Sequence, residues 1–172
     1  SKYYETPNID RLADEGLRFT DAYAASPVCT PTRAAILTGL HPARLHMTVW
    51  RESAARRGTR RLLEPVCLDS LPLKHLTLAE ILKSAGYFNA HLGKWHLGPV
   101  KKDSPTSPGA MGFDNWLSHD NFFELDPVLS RNGAAPKKIE GEGSEILISE
   151  TVGFIRRASA EKKPFFAVVW FG

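Results

Sequence analysis

The chain has 172 residues, of which 42% are hydrophobic and 24% are charged, and its formal net charge is +3. This length can bury one hydrophobic core, and this composition is ordinary for a globular domain. The small, mixed charge argues against a nucleic-acid partner, and no apolar run in the sequence is long enough to span a membrane.

The first predicted elements are a helix and a strand. Thr6 is a suitable helix cap, Pro7 suits the first helical position and Gly16 suits the exit, which predicts a helix from Pro7 to Glu15. Apolar and polar residues then alternate at the start of the segment 17–23, which predicts a strand.

A short apolar helix is predicted next, directly after a cysteine. Thr30 can cap it, Pro31 suits its first position and Gly39 can end it. Arg33 lies about one turn beyond Cys29, so the two side chains can face the same spot. Because a helix N-terminus and a guanidinium both favour anions, the segment predicts a reactive residue beside an anion-binding site.

The segment 41–72 has no regular pattern and is interpreted as a long surface segment that carries function. It contains a basic run, for which a solvated loop is the favoured interpretation and steering of an anionic substrate the alternative. The run consists of Arg56, Arg57, Arg60 and Arg61.

A capping box formed by Thr77 and Glu80 predicts a helix that runs to Ala85, with Gly86 as its cap. A strand over 87–92 follows it.

Lys94 and His96 come directly after this strand. In extended backbone, residues two apart point to the same side. A cation and an imidazole on one face suit the binding of an oxyanion and a proton transfer. The alternative is a surface lysine and a core histidine around a packed Trp95.

The C-terminal half predicts two loops, a long helix and a buried strand. Residues 98–109 and 132–143 are expected to be loops. The helix covers 144–160, with Ile148, Val152 and Ile155 on one stripe. The continuous apolar run 164–171 predicts a strand buried on both faces, and alternating helices and strands predict an α/β sheet with helices on both sides.

Two motifs in this order resemble the signatures of the type I sulfatases. The first is Cys29-Thr30-Pro31-Thr32-Arg33 with its apolar continuation to Gly39, and the second is Gly93-Lys94-Trp95-His96-Leu97-Gly98. The resemblance implies an alkaline-phosphatase-like fold, with a largely parallel or mixed β-sheet flanked by helices on both faces. It also implies that residues 1–172 form part of a single catalytic domain, truncated at both ends.

The resemblance further implies a chemistry for these residues. A maturation enzyme would oxidise Cys29 to formylglycine, the nucleophile. Arg33 would hold it, Lys94 would bind sulfate, and His96 would hydrogen-bond the hydrated aldehyde and accept a proton. Calcium would assist, and the modified Cys29 would be its one ligand in this segment, so the segment alone is expected to be inactive.

The implied function is that of an arylsulfatase-like sulfuric ester hydrolase, acting on a sulfated small molecule or a sulfated glycan. The implied location is periplasmic, secreted or lysosomal. Two alternatives stay open: a phosphonate or phosphate ester hydrolase that shares the cysteine motif, and a non-catalytic fragment or binding module.

Four further features accompany the two motifs. Leu40 departs from the family, in which many members carry arginine after Thr-Gly. The pair Asp120-Asn121 is interpreted as loop. Cys29 and Cys67 could pair, but two cysteines do not support a disulfide framework, and a bridge would block the maturation of Cys29 that the resemblance implies. The five histidines outside the motif core, namely His41, His46, His75, His91 and His119, are expected to be ordinary surface or hydrogen-bonded side chains.

Overall fold

A computed structural model describes residues 3–54 and 65–172, so the basic run of four arginines lies outside the described residues. The helices are α1 (Pro7–Glu15), α2 (Cys29–Thr38), α3 (Pro42–Leu45), α4 (Arg51–Ala54), α5 (Leu78–Ser84) and α6 (Gly143–Ala160). The strands are β1 (Phe88–Lys94), β2 (Asn115–His119), β3 (Val128–Arg131), β4 (Lys137–Lys138) and β5 (Phe165–Trp170).

The described residues form a mixed five-stranded sheet with the order β4-β3-β2-β1-β5. The strand β1 pairs in parallel with β2 on one side and with β5 on the other. The strand β3 pairs antiparallel with β2 and with β4. The carboxyl ends of β1, β2 and β5 therefore meet at one edge, where a site in an α/β sheet is expected.

Helices cover both faces of this sheet, as predicted. On one face, Leu147 and Phe154 of α6 pack against Ala90 and Leu92 of β1. On the other face, a second apolar cluster includes Ala34 and Leu37 of α2, Ala79 of α5, Trp95 and Val168. The α/β class with helices on both sides is confirmed.

The predicted helices form, with differences at their ends. The capping box of α5 is present, with Thr77 accepting from the Glu80 amide at 3.1 Å and Glu80 accepting from the Thr77 amide at 2.8 Å. The helix α2 begins at Cys29, two residues earlier than predicted. Thr30 is no cap, because its hydroxyl donates to the carbonyl oxygen of His96 at 3.2 Å.

The predicted strand over 17–23 is wrong. The segment is irregular, and Leu17, Phe19 and Tyr23 are exposed by 78%, 74% and 89%. No described strand pairs with it, and an alternating pattern alone does not form a ladder without a partner.

The stripe predicted for α6 is wrong for two of its three residues. Ile148 and Val152 are 48% and 39% exposed, and of the three predicted residues only Ile155 packs against the core, whereas Leu147, Phe154 and Ala158 are buried. Apolar residues occupy adjacent positions on this helix, so the sequence contains two possible stripes. Contact with β1 and β5 selects the stripe that packs against the sheet.

The strands differ from the prediction more than the helices do. β1 extends two residues further than expected, to Lys94, and the short strands β2, β3 and β4 were missed; β4 lies within a predicted loop. β5 forms, but Phe165 is 38% exposed and Val168 is its one buried residue. Among the described strands it pairs with β1 alone, which explains why it is not buried on both faces.

His91 of β1 is fully buried in the core. Its Nδ1 lies 2.7 Å from the Ser118 hydroxyl oxygen, and its ring meets the edges or faces of Trp95, Phe113 and Trp170. Burial, with a smaller contribution from the charge of Arg33, lowers the pKa of His91 from 6.5 to about 3. The imidazole is therefore neutral in the folded protein at neutral pH.

This burial predicts a pH dependence of stability. Between pH 6.5 and pH 3 the unfolded chain binds a proton at residue 91 that the folded chain does not, so stability falls as the pH falls. When the pH falls from 6.5 to 5, His91 alone lowers the free energy of unfolding by about 1.5 kcal/mol. Urea unfolding at these two pH values should show that the free energy of unfolding decreases less in His91→Gln than in the wild type. An equal loss in both proteins would contradict the buried neutral state.

Candidate active site

A pocket of about 550 Å³ lies where β1 ends and α2 begins. All four residues singled out from the two motifs line it. Its polar lining consists of Cys29, Arg33, Glu52, Lys94, His96 and Asn121, and its apolar lining includes Trp50, Phe122 and Phe171. The fold thus brings together residues that are more than 60 positions apart in the sequence.

Cys29 is the first residue of α2 and is partly buried. Its Sγ lies 3.1 Å from His96 Nδ1, and the Lys94 ammonium also contacts it. Both Cys29 and Cys67 are free thiols, as expected. Cys29 is therefore placed at the positive end of a helix, between an imidazole and a cation.

Arg33 lies one turn further along α2. Its Nη1 donates to the carbonyl oxygen of Lys94 at 2.6 Å, and its guanidinium carbon lies 4.4 Å from the Trp170 ring centre. Burial lowers the pKa of Arg33 to about 10, and the neighbouring Cys29 opposes this shift. The guanidinium thus remains charged at neutral pH and is held from two sides.

Lys94 ends β1 and its side chain is buried, with 1% of the residue exposed. Its ammonium lies 3.2 Å from the centre of the Phe122 ring, an arrangement that favours a cation. Burial lowers the pKa of Lys94, Cys29 opposes that shift and Arg33 adds to it. The pocket therefore concentrates two positive charges at its floor.

His96 faces the same pocket as Lys94, but not by strand alternation. The strand ends at Lys94, and His96 has a left-handed backbone with φ of 56°. Its amide donates to the Asp120 carbonyl oxygen at 2.9 Å, and its carbonyl accepts from Thr30. A turn held by these bonds, and not extended backbone, therefore makes the two side chains converge.

Trp95, between these two residues, points away into the core. It is fully buried, and its Nε1 donates to the Thr106 carbonyl oxygen at 2.8 Å. Lys94 is thus no surface lysine, and His96 is no part of the core around Trp95.

Glu52 is one of two polar pocket residues that the sequence analysis missed. It lies on α4, and its Oε2 and Oε1 are 2.8 and 3.1 Å from His96 Nε2. Partial burial raises the pKa of Glu52, but hydrogen bonding and the charges of His96 and Arg51 outweigh this and lower it overall. No periodic signal marks a four-residue helix in an irregular segment, so only the fold reveals this contact.

Asn121 was also missed as a site residue. The pair Asp120-Asn121 lies in a loop after β2, as predicted, yet Asn121 Nδ2 donates to Glu52 Oε1 at 2.8 Å. The Oδ1 atom of Asn121 is buried and has no hydrogen-bond partner in residues 3–54 and 65–172. The histidines expected to be ordinary, including His119, do not line the pocket.

The residues described do not by themselves fit the calcium ion implied by the resemblance. Within residues 3–54 and 65–172, no group of three or more His, Cys, Asp or Glu side chains could hold a metal ion. The pocket has two cations and one carboxylate, and that carboxylate already binds His96 and Asn121. Calcium needs six or more oxygen ligands, so no step is derived through the ion.

Comparison with known proteins gives a consistent result. The family model described as Sulfatase matches residues 1–172. N-acetylgalactosamine-6-sulfatase of Rattus norvegicus is 32% identical over 94% of this chain and 33% of its own length. Arylsulfatase A of Bos taurus is 43% identical over 67% of this chain and 21% of its own. The chain thus spans about a third of the length of the former relative.

Solved structures are similar over nearly the whole chain. The crystal structure of Ps i-CgsB in complex with k-i-k-neocarrahexaose has a TM-score of 0.79 and 25% identity, covering 97% of this chain and 39% of that one. A structure in complex with its substrate D-glucosamine-2-N,6-O-disulfate has a TM-score of 0.72 and 27% identity, covering 94% and 28%. In the part of this chain that is described, no helix is long and apolar enough to cross a membrane.

Proposed function

Because this chain belongs to the sulfatase family, we propose that the protein hydrolyses a sulfate ester to an alcohol and sulfate. The observation that carries the proposal is the convergence of Cys29, Arg33, Lys94 and His96 in one pocket at the N-terminus of α2. A nucleophile, two cations and an imidazole are the groups that transfer of a sulfuryl group requires.

The charge of the pocket supports the binding of an oxyanion. Arg33 and Lys94 are both at least partly buried, and neither forms a salt bridge with a carboxylate within the described ranges 3–54 and 65–172. Buried cations are costly unless they are compensated, and a sulfate group would supply that compensation. The first turn of α2 adds partial positive charge at the same place.

The proposed nucleophile is formylglycine made from Cys29. A hydrated aldehyde supplies one hydroxyl for attack on sulfur and a second whose collapse releases sulfate. His96 Nδ1, 3.1 Å from Cys29 Sγ, is placed to accept the proton that this collapse gives up. Arg33 orients the modified side chain, and Lys94 stabilises the negative charge that develops on sulfate and the leaving oxygen.

A sulfated sugar is the proposed substrate class. Trp50, Phe122 and Phe171 are 46%, 66% and 47% exposed and lie around the charged floor of the pocket. Aromatic rings beside a few well-placed polar groups suit a ring-shaped ligand whose one polar end is fixed. The relative from Rattus norvegicus is named for a sulfated amino sugar, and a structural neighbour was solved with a disulfated one. By resemblance, we extend the proposal to calcium, a maturation enzyme and a periplasmic, secreted or lysosomal location.

The test of this function is the state of Cys29 in the active protein. In protein produced with a maturation enzyme, we expect mass spectrometry of the peptide 26–33 to find formylglycine at position 29. An active preparation that contains only the unmodified thiol would refute the mechanism. A panel of matched sulfate, phosphate and phosphonate esters separates a sulfatase from the alternative hydrolase, and the inactivity of residues 1–172 alone stays a prediction.

A further inference from the structure

The carboxylate of Glu52 contacts the far side of the His96 ring. The Nε2 atom of His96 lies 2.8 and 3.1 Å from the two Glu52 oxygens, while its Nδ1 atom faces Cys29. The imidazole thus lies between a carboxylate and the proposed nucleophile. His96 is 1% exposed, whereas the Glu52 side chain is 42% exposed, so the ring is buried and the carboxylate reaches it from the solvent side.

The position of Glu52 is itself fixed by neighbouring bonds. Asn121 Nδ2 donates to its Oε1 at 2.8 Å. The adjacent Arg51 donates its amide to the Thr30 hydroxyl at 3.2 Å, and its guanidinium lies 3.6 Å from Asp120. Because the same Thr30 hydroxyl donates to the His96 carbonyl, one side chain links α2, α4 and the turn at His96.

We propose that Glu52 is a positioning residue that fixes the tautomer of His96, a role that rests on the proposed function. An ionised carboxylate can only accept hydrogen bonds, so His96 must donate its Nε2–H to Glu52. The lone pair of Nδ1 then faces position 29, where it can accept a proton. The proton taken up at Nδ1 gives an imidazolium whose charge Glu52 stabilises.

Loss of this contact has a definite consequence. Without an acceptor at Nε2, neutral His96 can carry its proton on Nδ1 instead, where it would point at Cys29 and block proton acceptance. A mere surface ion pair would not have this effect. The geometry argues against that simpler role: the Glu52 side chain is 42% exposed, but its partner is a buried ring whose second nitrogen faces the proposed nucleophile.

The direct test is nitrogen NMR of the 172-residue chain labelled with ¹⁵N-histidine at pH 7.5, with His96→Gln used to assign the signals. In the wild type we expect a neutral ring protonated on Nε2. In Glu52→Leu, which removes the acceptor at Nε2, we expect protonation to shift toward Nδ1. Glu124→Leu removes an exposed carboxylate outside the pocket and should not change the His96 tautomer, and an unchanged His91 signal reports that each variant is folded.

An Nδ1–H or doubly protonated His96 in the wild type would overturn the proposal, as would the same tautomer in Glu52→Leu and the wild type. This readout needs no catalysis, so it is independent of whether the protein is a sulfatase. In the mature active protein, Glu52→Leu should lower kcat for an aryl sulfate by about ten- to a hundredfold with KM little changed. Unchanged kcat at equal formylglycine content would contradict the role even if the tautomer shifts.

Discussion

Replacing either Lys94 or His96 by alanine is expected to lower turnover of an aryl sulfate by roughly a hundredfold or more. Lys94→Ala removes a buried ammonium at the floor of the pocket, where little water can replace it. His96→Ala removes the one imidazole that lies within hydrogen-bond distance of Cys29 among the pocket residues described. The measurement is kcat in the mature protein, normalised to its formylglycine content.

A matched control separates this effect from a general loss of positive charge. Lys163 is an exposed lysine whose ammonium pairs with Glu161 at 2.7 Å, outside the pocket, and Lys163→Ala should keep normal turnover. Near-normal kcat in both Lys94→Ala and His96→Ala, with position 29 modified, would show that the catalytic site lies elsewhere.

Gly93→Ala is expected to destabilise the chain by on the order of 3 kcal/mol or more. Gly93 has φ of 102°, a backbone conformation that residues other than glycine rarely adopt. A Cβ at this position would overlap the carbonyl oxygen of Trp170 and lie 2.8 Å from Leu147 Cδ1. The paired strands β1 and β5 would have to separate just before Lys94.

Urea unfolding of the 172-residue chain measures this effect without any assay of activity. Gly153→Ala in α6 is the matched control, because the space around Gly153 is open apart from Arg157 at 3.8 Å. The free energy of unfolding of Gly153→Ala should exceed that of the wild type by about 0.5 to 1 kcal/mol, because alanine has a better helix propensity than glycine. If Gly93→Ala and the wild type were equally stable, this would contradict the close approach of β1 and β5 at Gly93.

The sequence was sufficient to predict the family, the fold class and the residues of the two motifs. The family is confirmed by the family model, and the alkaline-phosphatase-like fold by the similar solved structures. The helices α1 and α5 were predictable because caps, prolines and glycines act within a few residues of one another. The catalytic roles of Cys29, Arg33, Lys94 and His96 stay predictions.

Features that depend on contacts distant in sequence were not predictable. The segment 17–23 has the pattern of a strand but pairs with no described strand, and the buried face of α6 was selected by β1 and β5. The same holds for the site. Glu52 becomes a partner of His96 only because Thr30 and Asn121 bring together segments up to 69 positions apart, and no local pattern records such a contact. Local capping and turn residues determine where several helices begin and end, whereas burial and hydrogen bonding across the fold decide which strands pair and which side chains meet.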